Sequence, residues 1–396
     1  MASREFDLVL FGATGFTGKL VAEYIAASGE KLRWAIAGRN ADKLKALGLE
    51  VPILVADAHD AAALDGVAKR AKVIATTVGP YAKYGSELVG ACAANGTHYA
   101  DLCGEVQWMR RMIDAHHDRA TATGARIVHT CGFDSIPSDL GTWATQREFR
   151  STFGKPAQKV TALFGESSGA VSGGTVASGL ETAREGETSR EVRKVLANPY
   201  GLDPDPYASR PPSPDEMGIG WNTALRMFTV PFFMAGVNTR VVRRGHALAG
   251  FPYGEDFVYR EVMSTPGSPT GLAMAVGITG ALAGLVVVMK RPRLRALVEK
   301  RAPKPGEGPD AERRARGHWK VRFVAENGSH KLVYVVADKH GDPGYGSTAK
   351  MLGESALSLA LDPLTSSGGV TTPSVAMGQF LFDRLRRIGL TFEVAG

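Results

Sequence analysis

The first 130 residues alternate short apolar runs with segments in which apolar residues recur every three or four positions. The runs Asp7–Phe11, Leu32–Ala37, Val51–Val55, Lys72–Thr77, His98–Leu102 and Ala125–Thr130 are five or six residues long and are bounded by turn residues. That is the pattern of strands buried on both faces. Between them, Lys19–Ala27, Ser86–Asn95 and Val106–Thr123 have helical spacing. Strand and helix alternating in this way predict a parallel sheet with helices on both faces.

The second half patterns differently. Ala157–Gly165 reads as a strand, and Ser172-Gly-Gly-Thr175 opens a helix running to about Asn198. Pro199–Pro214 is rich in proline, aspartate and serine and reads as a loop or linker. Trp319–Ala325 and Lys331–Ala337, joined through Asn327-Gly328, predict a β-hairpin. Thr348–Leu361 and Met377–Ile388 read as helices, followed by a final strand. The expected organisation is a doubly wound domain over 1–145 and an α+β domain with a mixed sheet over 146–345. A tail, 346–396, then returns to the first domain.

Thr270–Met289 contains no charged residue, and Lys290-Arg291-Pro-Arg293-Leu-Arg295 follows at once. Twenty apolar residues suffice to span a bilayer, and a basic flank marks the cytoplasmic side. A single crossing would separate the tail from the domain it is expected to rejoin. Partial insertion at a membrane surface is therefore favoured over spanning, with a buried core helix or a homodimer interface as alternatives. Phe228–Ala235 offers a second apolar surface. Placement at the cytoplasmic face of the cell membrane is the corresponding expectation.

Composition adds limits. The 396 residues carry a net charge of +7, with basic groups at Lys290–Arg316, at Arg240, Arg243 and Arg244, and at Arg384, Arg386 and Arg387. No nucleic-acid-binding motif accompanies them, and an anionic membrane surface or an acidic cofactor explains the charge at least as well. Cys92, Cys103 and Cys131 form no C-x-x-C pair and read as free thiols. Met1–Asp7 lacks the apolar stretch of a secretory signal.

The chemistry concentrates after the first strand, in Gly12-Ala-Thr-Gly15-Phe-Thr-Gly18. Gly12 permits a tight turn, Gly15 lets the backbone approach a pyrophosphate, and Gly18 lets helix and strand pack closely. Thr14, Phe16 and Thr17 complete that turn. Arg39, after the second strand, stands where an acidic residue would take the ribose hydroxyl of NAD, and so favours the 2′-phosphate of NADP. Asp57 ends the third strand and is placed either to meet adenine or to cap the next helix. Val78, Gly79 and Pro80 follow the fourth strand, where small residues make room for the nicotinamide ribose.

Candidates for proton transfer are Tyr81, Tyr84 and Asp134, each with a structural alternative: packing for the tyrosines, a turn for Asp134. The chain contains no Tyr-x-x-x-Lys pair, no metal-ligand spacing and no Gly-x-Ser-x-Gly elbow. Short-chain dehydrogenase, metal and covalent mechanisms are disfavoured accordingly.

Several segments together resemble the saccharopine dehydrogenase-like superfamily. They are the glycine turn, Val78-Gly-Pro-Tyr-Ala-Lys-Tyr-Gly85, Gly96–Asp101 with Gly104-Glu105, Cys131-Gly-Phe-Asp-Ser-Ile-Pro-Ser-Asp139, and Gly368–Gly378. The chain is most similar to the branch of trans-acting enoyl reductases that assist polyketide synthases in making long-chain lipids. The resemblance implies an NADP-linked reductase of a carbon-carbon double bond in a lipid-like or carrier-bound substrate, working with a synthase. The readings it competes with are a saccharopine-type amino-acid dehydrogenase and a non-catalytic NADP-binding lipid-surface protein.

Overall fold

A computed structural model describes residues 4–168, 173–301 and 308–395. In chain order its strands are β1 (Phe6–Phe11), β2 (Trp34–Gly38), β3 (Ile53–Val55), β4 (Ala71–Thr76), β5 (His98–Ala100), β6 (Arg126–Val128) and β7 (Lys159–Ser168). There follow β8 (Gly220–Asn222), β9 (Met227–Pro231), β10 (Val258–Thr265), β11 (His318–Asn327), β12 (His330–Asp338), β13 (Gly369–Thr371) and β14 (Thr391–Val394). They form two seven-stranded sheets.

The first sheet runs β13-β6-β5-β4-β1-β2-β3 and every pairing in it is parallel. β1 is central, with Leu10 opposite Ile36 on one side and Ala75 on the other. From β1 the chain builds outward to β3, returns, and builds the other way from β4. The crevice for a ligand therefore opens at the carboxyl ends of β1 and β4, where the direction reverses. The fold is α/β and doubly wound.

The second sheet runs β14-β12-β11-β7-β10-β9-β8 and is mixed, with only β7 and β10 parallel. The β11–β12 hairpin turns at Gly328, whose φ of +60° suits glycine. The helix Ile136–Phe153 leaves β6 and packs on the second sheet, so closely that a Cβ on Gly141 would lie 2.6 Å from the Phe323 ring. One apolar core, including Leu8, Leu10, Phe149, Val321 and Phe323, runs through both sheets.

The tail joins the two halves. The helix Gly346–Leu361 lies on the first helix, Phe16–Ala27, where a Cβ on Gly353 would come within 2.4 Å of the Tyr24 ring. Buried Arg384 sits among Glu30, Glu354 and Asp362 at 2.8–3.3 Å. β13 extends the first sheet beside β6, and β14 extends the second beside β12.

Several elements differ from the sequence reading. The long helix after Thr175 is two helices, Gly173–Thr188 and Arg190–Ala197, because Ser189 turns inward and accepts from the N–H of Val192. Its expected first residue, Ser172, lies outside the described residues. Arg240, Arg243 and Arg244 are buried, not a basic surface. Arg240 pairs with Asp215, and the other two donate to the carbonyls of Pro199, Ser213, Tyr259, Leu202 and Val370. Val237 before these arginines and Val241 and Val242 between them draw the helix Ala235–Leu248 into the core.

Candidate active site

The glycine turn has the tight bend expected at Gly12 and the close helix packing expected at Gly18. Gly12 has φ +91°, and a Cβ there would lie 2.5 Å from Val78 Cγ2. A Cβ on Gly18 would lie 2.1 Å from the carbonyl oxygen of Gly12. Both glycines are demanded by the protein itself. Gly15 is not: its nearest neighbour would be 3.5 Å away, and it faces outward. It also occupies the cap position of the helix Phe16–Ala27 without a side chain to cap it. A helix leaves its first-turn N–H groups without partners inside the helix and sets its dipole behind them, which suits a diphosphate.

Thr14 is exposed on the same turn, Thr17 is half-buried, and Phe16 is held from above. The Phe16 ring meets Tyr345 edge-on at 4.8 Å, and the Arg314 guanidinium lies 5.5 Å from its centre. The phosphate turn is thus fixed by residues some 300 positions later.

Arg39 is exposed at the end of β2 and makes no ion pair or hydrogen bond among the described residues. An arginine left free beside the ribose position fits a 2′-phosphate. Asp57 accepts from the N–H of His59, and Asp60, not Asp57, caps the helix Ala61–Arg70. Val78, Gly79 and Pro80 are at least partly open to the crevice, and Val78 packs on Gly12.

The two tyrosines are not equivalent. Tyr81 is buried, donates its hydroxyl to Thr76 O and accepts from Leu102 N–H. Burial drives that hydroxyl's pKa far above its usual value. Its role is to hold the ends of β4 and β5 together. Tyr84 lies against His59, ring centres 5.3 Å apart, on the Asp57 side of the crevice and away from the ends of β5 and β6.

Asp134 is different. It sits in the connection after β6, beside Leu102 and Thr348, both of which close on Gly132. Its carboxyl group accepts only from its own backbone N–H among the described residues. Burial above all, and the nearby charge of Asp101, push its pKa up to about 7. It can therefore be neutral at neutral pH and give up a proton.

Two acids that the sequence reading placed only inside motifs organise this region. Asp101 accepts from Tyr99 Oη, His129 Nδ1, Cys103 N and Thr130 N at 2.7–3.0 Å. It thereby holds Thr130 at φ +62°, a conformation unfavourable for a β-branched residue. Glu105 accepts from the N–H groups of Tyr81 and Ala82 and from Ser178 Oγ, each at 2.8 Å. Ser178 belongs to the helix Gly173–Thr188, so this one carboxylate ties that helix to the end of β4. The only sequence signal was two acids four apart at the exit of a short strand.

The described residues include no cluster of metal-ligating side chains. The site offers an open glycine turn at a helix start, a guanidinium without a partner among the described residues and a carboxylic acid near neutrality, at the carboxyl ends of the first sheet.

Residues 8–128 match the model of the saccharopine dehydrogenase NADP-binding domain. A Mycobacterium tuberculosis (H37Rv) protein provisionally named a trans-acting enoyl reductase is 42% identical over 410 residues, covering 98% of this chain and 97% of that protein. The Mycobacterium ulcerans protein named trans-acting enoyl reductase is 40% identical over 409 residues, with the same coverage. Among solved structures, apo saccharopine dehydrogenase (L-Glu forming) from Saccharomyces cerevisiae superposes with a TM-score of 0.55 at 13% identity. It covers 98% of this chain and 99% of its own, a likeness of fold.

Proposed function

Given that this chain belongs to the trans-acting enoyl reductase family, we propose that it reduces the double bond of a long-chain, carrier-bound enoyl thioester in concert with a polyketide synthase. It is an oxidoreductase, and NADP(H) is its dinucleotide. The observation that carries the mechanistic reading is Asp134, a carboxylic acid with no side-chain partner among the described residues, at the β6 end of the dinucleotide crevice.

The phosphate turn at Gly15 and the guanidinium of Arg39 would hold the cofactor, which supplies the hydride for the β-carbon. Reduction then needs one proton at the α-carbon and stabilisation of the enolate oxygen while charge develops. Asp134, its pKa pushed up to about 7, is protonated in part of the molecules at neutral pH, and that form holds the proton. Tyr81 does not compete for it, because its hydroxyl is committed to Thr76. Glu105 keeps the helix Gly173–Thr188 over the crevice and so limits entry of water.

The competing reading, an amino-acid dehydrogenase, needs cations for the substrate's carboxylates. The arginines of the helix Ala235–Leu248 are spent on backbone carbonyls and Asp215, which favours the acyl reading. The test is NADPH oxidation by the purified full-length protein with enoyl thioesters of rising chain length, beside amino-acid and imine substrates. Turnover that rises with chain length supports the proposal; turnover confined to the amino-acid arm refutes it.

A further inference from the structure

Pro269–Met289 is one continuous helix of 21 residues, about 31 Å long at 1.5 Å per residue. Its root is rigid. Ser268 caps it by accepting from Gly271 N–H, and Thr265 Oγ1 donates to Gly271 O at 2.8 Å. A Cβ on Gly271 would lie 1.8 Å from Pro266 O, so the helix begins pressed against the end of β10. Beyond that root most of it is uncovered by the described residues, among which it buries fully only Gly271 and Ala275. Val276 and Val287 are more than half exposed, at 56% and 53%. Trp221, 46% exposed, stands beside the root against Gly267. An apolar surface of this extent has to be covered by something.

The far end of the helix returns to the protein. In the next helix, Pro292–Arg301, Arg295 is largely buried and grips Glu187 with two hydrogen bonds of 2.7 and 3.0 Å. Glu187 belongs to the helix Gly173–Thr188 that Glu105 holds over the crevice. The apolar helix is therefore fixed at both ends to one body, at β10 and at the helix above the crevice. A helix so tethered cannot place its ends on opposite sides of a bilayer.

Charge decides between the remaining occupants. No acidic or basic residue lies within Pro269–Met289, and Lys290, Arg291 and Arg293 follow. A second copy of the chain would bring the same uncharged face and the same cations. Anionic headgroups bring the missing charge at the depth where an apolar helix with a basic end settles. Trp221 supplies the aromatic side chain favoured at that boundary.

We infer that Pro269–Met289 lies flat in the boundary between headgroups and acyl chains of an anionic lipid surface, with Lys290, Arg291 and Arg293 on the headgroups. The surface covers both fixed ends at once, and the helix above the crevice faces it. This inference rests on the exposed helix and its two attachments, and stands or falls independently of the substrate.

The test uses full-length protein and phosphatidylcholine vesicles with and without phosphatidylglycerol. Wild-type protein is expected to float with the anionic vesicles, and less so in high salt. The paired substitution Val276→Asp and Val287→Asp is expected to lower partitioning about tenfold or more. NADPH affinity, read by cofactor fluorescence, should stay unchanged, since both side chains are exposed. Bromolipid quenching of fluorophores on cysteines introduced singly at Val276 and Val287, which share one face of the helix, should report equal depth. Three results would overturn the inference: no flotation, flotation undiminished by the aspartates, or unequal depths as in a spanning helix. A lipid-free dimer that the same aspartates dissolve would likewise overturn it, assigning the face to a second copy.

Discussion

Ser178 and Glu105 are joined by a 2.8 Å hydrogen bond that fastens the helix Gly173–Thr188 to the end of β4. The same carboxylate accepts from the Tyr81 and Ala82 N–H groups. Loss of Ser178 Oγ removes one hydrogen bond, whereas loss of the carboxylate strands two backbone donors. Ser178→Ala should cost about 1 kcal/mol of stability, and Glu105→Ala about 3 kcal/mol. Denaturant melts compare them, and both variants should show a raised KM for NADPH. Equal melts for the two variants would mean that Glu105 does not anchor the β4 end.

Gly15 and Gly18 should part company on substitution. Gly18→Ala drives a Cβ to within 2.1 Å of Gly12 O and should destabilise the fold by several kcal/mol, about 2–4. Gly15→Ala meets nothing closer than 3.5 Å and should melt like wild type while NADPH binds at least about tenfold more weakly. Calorimetry of binding alongside thermal melts separates the two. Unimpaired NADPH affinity in Gly15→Ala would remove the diphosphate from this turn.

Arg39 has no protein partner among the described residues, so its loss should be felt only by the ligand. Removing a charge-assisted contact of about 1.5–3 kcal/mol predicts NADPH affinity roughly ten- to a hundredfold lower in Arg39→Ala, with NADH affinity unchanged. Parallel fluorescence titrations with the two cofactors measure this. An equal loss for both would show that Arg39 does not read the 2′-phosphate.

Asp134 donates only while protonated, and its pKa is pushed up to about 7. The pH profile of kcat/KM should therefore fall on its alkaline side from near pH 7. Asp134→Asn should lower kcat by about 10²–10⁴-fold. The raised value also carries a stability cost. The native state holds this proton more tightly than the unfolded chain does, so stability declines as pH rises from about 4 to 7 and stays lowered above it. Asp134→Asn, which carries no such charge, should melt at or above the wild-type temperature at pH 8. A variant both inactive and much less stable there would point to a structural role instead.

What could be read in advance followed from locality. The first sheet announces itself because each strand is a contiguous apolar run and the glycine turn sits between strand and helix. β10 was not legible: Val258–Thr265 carries Arg260 and Glu261, and its partner β7 lies a hundred residues away. Glu261 is tolerated there because Tyr259 and Asn238 hydrogen-bond to it, a contact made only by the tertiary fold. β13 was equally hidden, since three residues have no period and pair only because the tail returns to β6. Within the site, the tight turn at Gly12 and the close packing at Gly18 were readable because their demands are local. Glu105 and Asp101 were not, because each works by collecting donors from distant segments. For Tyr81 the sequence left a proton donor and a packing residue both open; its bonds to Thr76 and Leu102 favour packing.

The most direct test of the enzyme reading follows the atoms. Purified protein is given a long-chain enoyl thioester with NADPH deuterated at the reactive C4 position, and then unlabelled NADPH in D2O, and the acyl product is read by mass spectrometry. The account predicts one deuterium from NADPH at the β-carbon and, in D2O, one solvent deuterium at the α-carbon, the second event slowed in Asp134→Asn. NADPH that binds without any deuterium reaching an acyl chain would contradict it.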